Sequence, residues 1–457
     1  MRPPDPLPRT CIIGAGSSGI AAAKALSDAG VPYDHFEASD RVGGNWAFEN
    51  PNGMSSAYDT LHINTSRERM AFADFPMPRS FPTFPHHSHV ARYFEDYVDH
   101  FGLRDRITFE TTVERCERTS DGLWDVTLHT GETRRYDALL VANGHHWDPR
   151  WPEPEPPGTF DGERIHAHDY VRAEQVKDRR VVVVGMGNSA MDIATVASYV
   201  GRSSTVAART PAHVVPKWWF GRPLDQWATL PVMHVLPWQV AQAGMAALIR
   251  LARGPLSRYG LPQPDHGLLQ SHPTISSDFL VRAGHGAIDL RPDVARFDGD
   301  RVVFADGTSV EADLVIYATG YDITFPFFDT DLISAPDNQI DLYRNVVHPE
   351  MPNTAFIGLA QPLGAIMPIA ERQSKWIAAV LTGRAHLPDR DAMLAQTTAN
   401  REAMARRYRR AARHTIQVDF DDYMFDLRLE MWRGRRRAKR AGHTLQIPAR
   451  ATVQVEA

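Results

Sequence analysis

Cys11-Ile12-Ile13-Gly14-Ala15-Gly16-Ser17-Ser18-Gly19 is an apolar run that breaks into a glycine-rich turn and continues as a helical pattern. Val181-Val182-Val183-Val184-Gly185-Met186-Gly187-Asn188-Ser189-Ala190 repeats the design further along the chain. In such a loop the first glycine makes the tight turn and the second lets a pyrophosphate approach the backbone. The helix N-terminus then supplies N–H donors and the positive end of a dipole. One loop of this kind is weak evidence. Two, each between an apolar strand and a helical pattern, imply two dinucleotides on two Rossmann-like α/β units. Gly14, Gly16, Ser18 and Gly19 are expected on the first dinucleotide. Gly185, Gly187, Asn188 and Ser189 are expected on the second.

The residue closing the second strand of each unit separates the two ligands. Pro32 to Phe36 reads as a strand and ends at Glu37. A carboxylate there accepts hydrogen bonds from a ribose diol and repels a 2′-phosphate, which suits the ADP half of FAD. Ser204 to Ala208 reads as a strand and ends at Arg209, with no acid after it. A guanidinium suits the 2′-phosphate of NADPH. An ordinary surface arginine is the competing reading of Arg209.

With 457 residues, 43% of them hydrophobic, the chain has enough material for two or three packed domains. The net charge of -5 makes nucleic acid an unexpected partner. The first strand is expected within about ten residues of the start, too early for a signal peptide. The two cysteines, Cys11 and Cys116, suggest no disulfide framework, and a cytoplasmic location is expected. They also offer no close redox-active pair. Electrons delivered by NADPH must therefore leave a flavin for another acceptor, and dioxygen is the obvious one.

Residues 1–170 are read as the first part of an FAD-binding domain. Strands are expected at Ile107–Val113, Trp124–Leu128 and Ala138–Val141, and a proline-rich linker at Trp147–Pro157. Residues 171–318 are read as an NADPH-binding domain with a helical insert at about 211–285, closing on Leu314–Tyr317. Residues 319–457 are expected to return to the FAD domain and end in helices. The fold class is thus α/β, with one Rossmann-like domain inserted into the other.

Gln226 to Ile249 carries no formal charge. Pro231, Pro237, His234, Gln239 and Gln242 argue against a transmembrane helix there. A helical cover over a pocket is the plain reading, and an interfacial patch followed by Arg250, Arg253 and Arg258 is the sharper one. Residues 401–440 hold thirteen Lys and Arg against six Asp and Glu. A solvated helix face or a contact in a homo-oligomer accounts for them, with anionic lipid as an alternative. The histidines at positions 86, 87, 89, 166 and 168 lack any other sign of a metal site, and none is expected.

These residues resemble the class B flavin-containing monooxygenases over nearly the whole chain. Glu37 followed by Gly43-Gly44-Asn45-Trp46 is similar to that family's acid and GGxW. Leu61-His62-Ile63-Asn64-Thr65-Ser66 is similar to its asparagine loop, with Phe75-Pro76 beyond it. Phe160-x-Gly162-x3-His166-x3-Tyr170 matches the fingerprint FxGxxxHxxx(Y/F). The second glycine loop, Ala318-Thr319-Gly320-Tyr321, Gln361-Pro362-Leu363-Gly364 and Gln373-x2-Trp376 follow in order. The ordered set is specific, while any single element is not.

The resemblance implies FAD and NADPH as cofactors and a small molecule and O2 as substrates. NADPH would reduce FAD, and the reduced flavin would form a C4a-hydroperoxide protected by bound NADP. Asn64, a neutral amide that both donates and accepts, is the implied catalytic residue, with a turn asparagine as the bland reading. Gly44, Asn45, Trp46, Asn64, Thr65, Val113 and Gln361 are implied at FAD. Asn188, Ser189, Arg209 and Tyr170 are implied at NADP, though interdomain packing explains His166 and Tyr170 equally well. Oxygenation of amines or sulfides, of the N,N-dimethylaniline type, is the implied activity. Baeyer–Villiger oxygenation of ketones is the nearest rival, but its fingerprint usually ends in Trp. Oxidative decarboxylation of 2-oxo acids and a non-oxygenating NADPH oxidase or flavin reductase are the remaining alternatives.

Overall fold

The computed structural model describes residues 6–227, 238–268, 270, 273–407 and 415–451. The chain starts with β1 (Thr10–Ile13), α1 (Ser17–Ala29), β2 (Tyr33–Phe36), β3 (Ile107–Thr108) and β4 (Ala138–Val141). It leaves that unit and builds a second from β5 (Glu163–His166), β6 (Arg180–Val184), α2 (Asn188–Val200) and β7 (Ser203–Ala207). There follow α3 (Leu224–Trp227), α4 (Trp238–Arg253), β8 (Asp289–Arg291) and β9 (Leu314–Tyr317). It then returns with β10 (Val347–His348), β11 (Met351–Phe356), α5 (Met367–Leu381) and α6 (Phe420–Arg440).

The first sheet has the order β10-β11-β4-β1-β2-β3 and the second the order β8-β7-β6-β9-β5. All pairings are parallel except that of β10 with β11. The central strands β1, β4 and β9 are buried throughout, which is why they read as unbroken apolar runs. This is the expected α/β class, with the second unit inserted into the first. β5 pairs with β9 in the second sheet, although the expected boundary at residue 170 assigns it to the first domain.

Local chemistry explains the elements at the site. α1 buries a face of small residues, Gly19 and Ala21 to Ala23, and ends at Gly30, whose φ of 71° lets its N–H reach the carbonyls of Leu26 and Ser27. α5 packs over α1 in the same core. The strand expected at Ile107–Val113 stops at Thr108. Glu110 takes a φ of 50°, and Thr111 folds back to donate to the Glu37 carbonyl at 2.8 Å. Val113 then opens a separate antiparallel sheet of Val113–Arg118, Trp124–Leu128 and Thr133–Tyr136. The insert after Arg209 mixes short strands with its helices.

The chain crosses between the sheets twice, and the crossings bond to each other. Asp148–Pro149 pairs antiparallel with Tyr321–Asp322. Arg150 donates from its backbone to the Gly320 carbonyl at 3.0 Å and from Nε to Asp322 at 2.6 Å. The proline-rich stretch is therefore one half of a double connection.

Among the described residues no helix is long and apolar enough to cross a membrane. Residues 228–237 of the uncharged stretch, with Pro231, His234 and Pro237, lie outside the described residues, and so do residues 408–414 of the basic segment. In α6, Arg435, Arg436, Lys439 and Arg440 are exposed.

His35 ties β2 to the first glycine loop. It is fully buried, and its Nε2 donates to the Gly14 carbonyl at 2.8 Å. Burial lowers its pKa from 6.5 to about 4, while the hydrogen bond to Gly14 acts in the opposite direction. Between those two values the unfolded chain binds a proton that the folded chain refuses, so stability falls as the pH drops. His35 should cost the fold about 3 kcal/mol by pH 4 relative to neutral pH. His35→Gln keeps the donor without the titration. Its urea midpoint should fall less between pH 7 and pH 5 than that of the wild type. An equal fall would contradict this assignment.

Candidate active site

The two glycine loops are built alike. Gly14 has a φ of 96°, and a Cβ on it would lie 2.6 Å from the Ala142 carbonyl oxygen. Gly185 has a φ of 129°, and a Cβ there would lie 2.5 Å from the Ala318 carbonyl oxygen. Each loop is pressed against the end of the neighbouring strand, and only glycine fits. Gly16 and Gly187 precede the thirteen-residue helices α1 and α2, and neither helix has a side-chain cap. The first N–H groups of both helices are thus left for an anion. A Cβ on Gly187 would meet nothing within 4 Å, so the backbone is open to a pyrophosphate. These features fit two dinucleotides.

Glu37 is buried at the end of β2. It accepts from the backbone N–H of Ala15 and, at 2.8 Å, of Ser39. Burial raises its pKa, and those backbone donors oppose the rise. Each carboxylate oxygen keeps a further lone pair for a ribose hydroxyl. Ser18 lies beneath Gly358, on which a Cβ would come within 2.0 Å of the Ser18 hydroxyl. Gly44 takes a φ of 53° against Gly16 and starts the turn Gly44–Trp46. Asn45 uses its side-chain oxygen internally, accepting from the Ser56 N–H at 2.8 Å and hydroxyl at 2.7 Å.

A cleft of about 1690 Å³ runs between the two sheets. Asn45, Trp46, Asn64, Thr65 and Gln361 line it from the first unit, and Gly185, Gly187, Asn188, Ser189 and Arg209 from the second. Residues expected at the flavin and at the nicotinamide dinucleotide therefore share one space. Arg209 is exposed, two residues beyond the end of β7, and has no carboxylate partner among the described residues. Asn64 is half-buried, and its amide makes no hydrogen bond among the described residues. The Asn188 side-chain oxygen accepts from the Ile275 N–H at 3.0 Å, which leaves the backbone N–H and Nδ2 as the groups that can donate to a phosphate. Val113 is buried outside the cleft wall, near Glu37 through Thr111.

Tyr170 corrects the expectation of a contact with NADP. It is fully buried in the core of the second unit, with its ring 5.8 Å from that of Tyr58, and it does not line the cleft. His166, four residues earlier, is also fully buried but borders the cleft, and its Nδ1 accepts from the His168 N–H. The fingerprint's spacing says nothing about which way a ring turns, and apolar burial turned this one inward.

Among the described residues no group of three or more His, Cys, Asp or Glu is placed to hold a metal ion. Both cysteines are buried, and burial raises both thiol pKa values.

A model of the family described as flavin-binding monooxygenase-like matches residues 8–433. The chain belongs to this family. It is 36% identical to flavin-containing monooxygenase 5 of Rattus norvegicus, over 92% of this chain and 82% of that one. It is 33% identical to dimethylaniline monooxygenase (N-oxide-forming) 2 of the same species, over 93% and 82%. Among solved structures, S-allyl-L-cysteine S-oxygenase from Allium sativum is 27% identical with a TM-score of 0.69, covering 95% of this chain and 91% of that one. A cyclohexanone monooxygenase shares the fold at 21% identity with a TM-score of 0.70, covering 94% and 98%. The protein is a flavin monooxygenase with FAD and NADPH as its cofactors.

Two carboxylates of the cleft wall that bond across to the first unit, Asp192 and Asp225, were not singled out from the sequence. Asp192 accepts from the Tyr58 hydroxyl at 2.6 Å across the two units. Burial raises its pKa, opposed by Tyr58 and by the charge of Lys217. Burial in turn lowers that of Lys217. Asp192 stands two residues after Ala190 of the second glycine loop, and its position one turn into α2 was the available signal.

Proposed function

We propose that this monooxygenase oxygenates soft nitrogen or sulfur nucleophiles of small molecules, with Asn64 as the catalytic residue. The observation carrying this reading is the Asn64 amide, unbonded among the described residues, in a cleft lined by Asn45, Trp46 and Gln361 of the first unit and by the glycine loop of the second. FAD reduced by NADPH supplies the activation of dioxygen. The chain's own task is to hold the activated oxygen and exclude water. An amide suits that task because it donates through Nδ2 and accepts through Oδ1 without titrating. Met70, Ile63 and Trp46 give the same wall an apolar lining. No nucleophile or acid–base dyad is required, because the substrate's lone pair makes the attack. The names of two similar proteins, an N-oxide-forming monooxygenase and an S-oxygenase, point to the same chemistry.

Glu37 and the first glycine loop would hold the ADP half of FAD. Gly44, Thr65 and Gln361 would lie along the flavin. The N-terminus of α2 would take the NADP pyrophosphate, and Arg209 the 2′-phosphate.

Two measurements test these roles. A charge-assisted guanidinium–phosphate contact contributes about 1.5–3 kcal/mol, so Arg209→Ala should reduce the preference for NADPH over NADH roughly tenfold or more in kcat/KM. A full preference retained would assign the phosphate to another cation. Asn64→Ala should still be reduced by NADPH under anaerobic conditions. In air, product formed per NADPH should fall about a hundredfold and hydrogen peroxide should take its place, because a lost donor to developing negative charge costs about 2.7–4 kcal/mol. Asn64→Asp should be at least as damaging, since an ionised carboxylate cannot donate. Coupled product formation in Asn64→Ala would remove Asn64 from the chemistry.

A further inference from the structure

The loop that carries Asn64 belongs to the first unit, yet the insert of the second unit grips it on both sides. Lys217 Nζ donates to the Ile63 carbonyl at 3.4 Å, immediately before Asn64. Asp225 Oδ2 accepts from the Ser66 N–H at 2.9 Å and the Ser66 hydroxyl at 2.7 Å, immediately after Thr65. Asn64 and Thr65 are thus suspended between two charged anchors. The anchors are themselves linked. Trp218–Trp219 and Arg222–Pro223 form an antiparallel pair, and the Leu224 N–H donates to the Lys217 carbonyl at 2.9 Å. Trp227 closes the far end by donating from Nε1 to the Trp219 carbonyl at 3.2 Å. Lys217, the hairpin and Asp225 form one clip.

The grip has a clear physical logic. Ser66 is fully buried, and so is Ile63. Their backbones cannot shift without exposing a charge-assisted hydrogen bond to rupture in a low-dielectric wall. Among the described residues the Asn64 amide has no internal bond of its own to fix it, so its position depends on these neighbours. Lys217 also lies over the Phe84 ring at 5.3 Å, and its backbone N–H bonds the Ser277 hydroxyl at 3.1 Å, which ties the clip to the start of the helix Asp278–Gly284.

We infer that Asp225 and Lys217 are positioning residues for Asn64, and that the clip makes the placement of its amide a property of the NADPH-binding unit. This rests on the catalytic reading of Asn64 given above. The anchors touch no reacting atom. Their effect is on the share of reducing equivalents that ends in product rather than in peroxide.

The test measures product and peroxide formed per NADPH in Asp225→Ala, Asp225→Asn, Asn64→Ala and the Asp225→Ala/Asn64→Ala double variant, with an amine or sulfide that the wild type oxygenates. Asp225→Ala should lower product per NADPH at least about tenfold, since displacement of a catalytic group by a fraction of an ångström is enough. Asp225→Asn, which retains an acceptor oxygen for Ser66, should recover most of it. The double variant should be no worse than Asn64→Ala alone, because both changes remove the same interaction. A general loss of folded protein would lower turnover without changing this ratio. Lys217→Met cuts the other anchor and serves if Asp225→Ala does not fold; it should lower the ratio likewise. A wild-type ratio in Asp225→Ala or Lys217→Met, or losses that multiply in the double variant, would overturn the inference. If Asn64→Ala itself keeps the wild-type ratio, the catalytic reading falls and takes this one with it. If Asn64→Ala uncouples and the anchor variants do not, the anchoring alone falls.

Discussion

The cleft exists because the two chain crossings between the sheets are bonded to each other. A single proline-rich strand would let one unit swing about the other. Here Asp148–Pro149 and Tyr321–Asp322 run antiparallel, and the Arg150–Asp322 ion pair joins them again through side chains. The crossings leave the sheets just beyond Val141 and Tyr317, the ends of β4 and β9. Those are the same strand ends against which Gly14 and Gly185 are pressed. The joint is therefore built into the cofactor loops, and a change in the angle between the units is felt first where the dinucleotides lie.

On that frame the site is an encounter between two surfaces, not a pocket in one domain. The first unit brings a neutral amide on a short loop, and the second brings an uncapped helix and an exposed arginine. Tyr58 and Asp192 bond across the gap, and the Lys217–Asp225 clip adds two more connections. Three charged residues of the wall, Asp192, Lys217 and Asp225, are thus tied up in holding the two surfaces together. The Asn64 amide in the same wall is uncharged, which suits the oxygenation proposed above.

Much of this was legible in the chain itself. Apolar runs of three and four residues ending in glycine turns mark both nucleotide-binding units, because buried parallel strands and pyrophosphate loops impose strong local patterns. Glu37 directly follows β2, and Arg209 stands two residues beyond β7. The misreadings share a cause. The strand expected to run to Val113 stops at Thr108 because a tertiary bond to Glu37 folds the chain back, and Tyr170 packs into the apolar core beside Tyr58, where its hydroxyl has no partner among the described residues. Asp225 was invisible for a different reason. It sits on a four-residue helix with no periodicity to reveal it, and the loop it holds is 159 residues away in sequence. Local pattern specifies the scaffold, whereas contacts of that range are settled only by the packed structure.

The nesting of one unit inside the other also orders events in time. The second sheet has its last strand once Tyr317 has been made, whereas β4 remains an edge until β11 arrives at Met351–Phe356. α1 likewise waits for Met367–Leu381 to cover it. On a ribosome the inner unit is thus free to finish while the outer one still presents an open strand edge and an uncovered apolar helix, the surfaces most prone to mispairing. The flavin site, though its glycine loop is synthesised first, is the last to be closed.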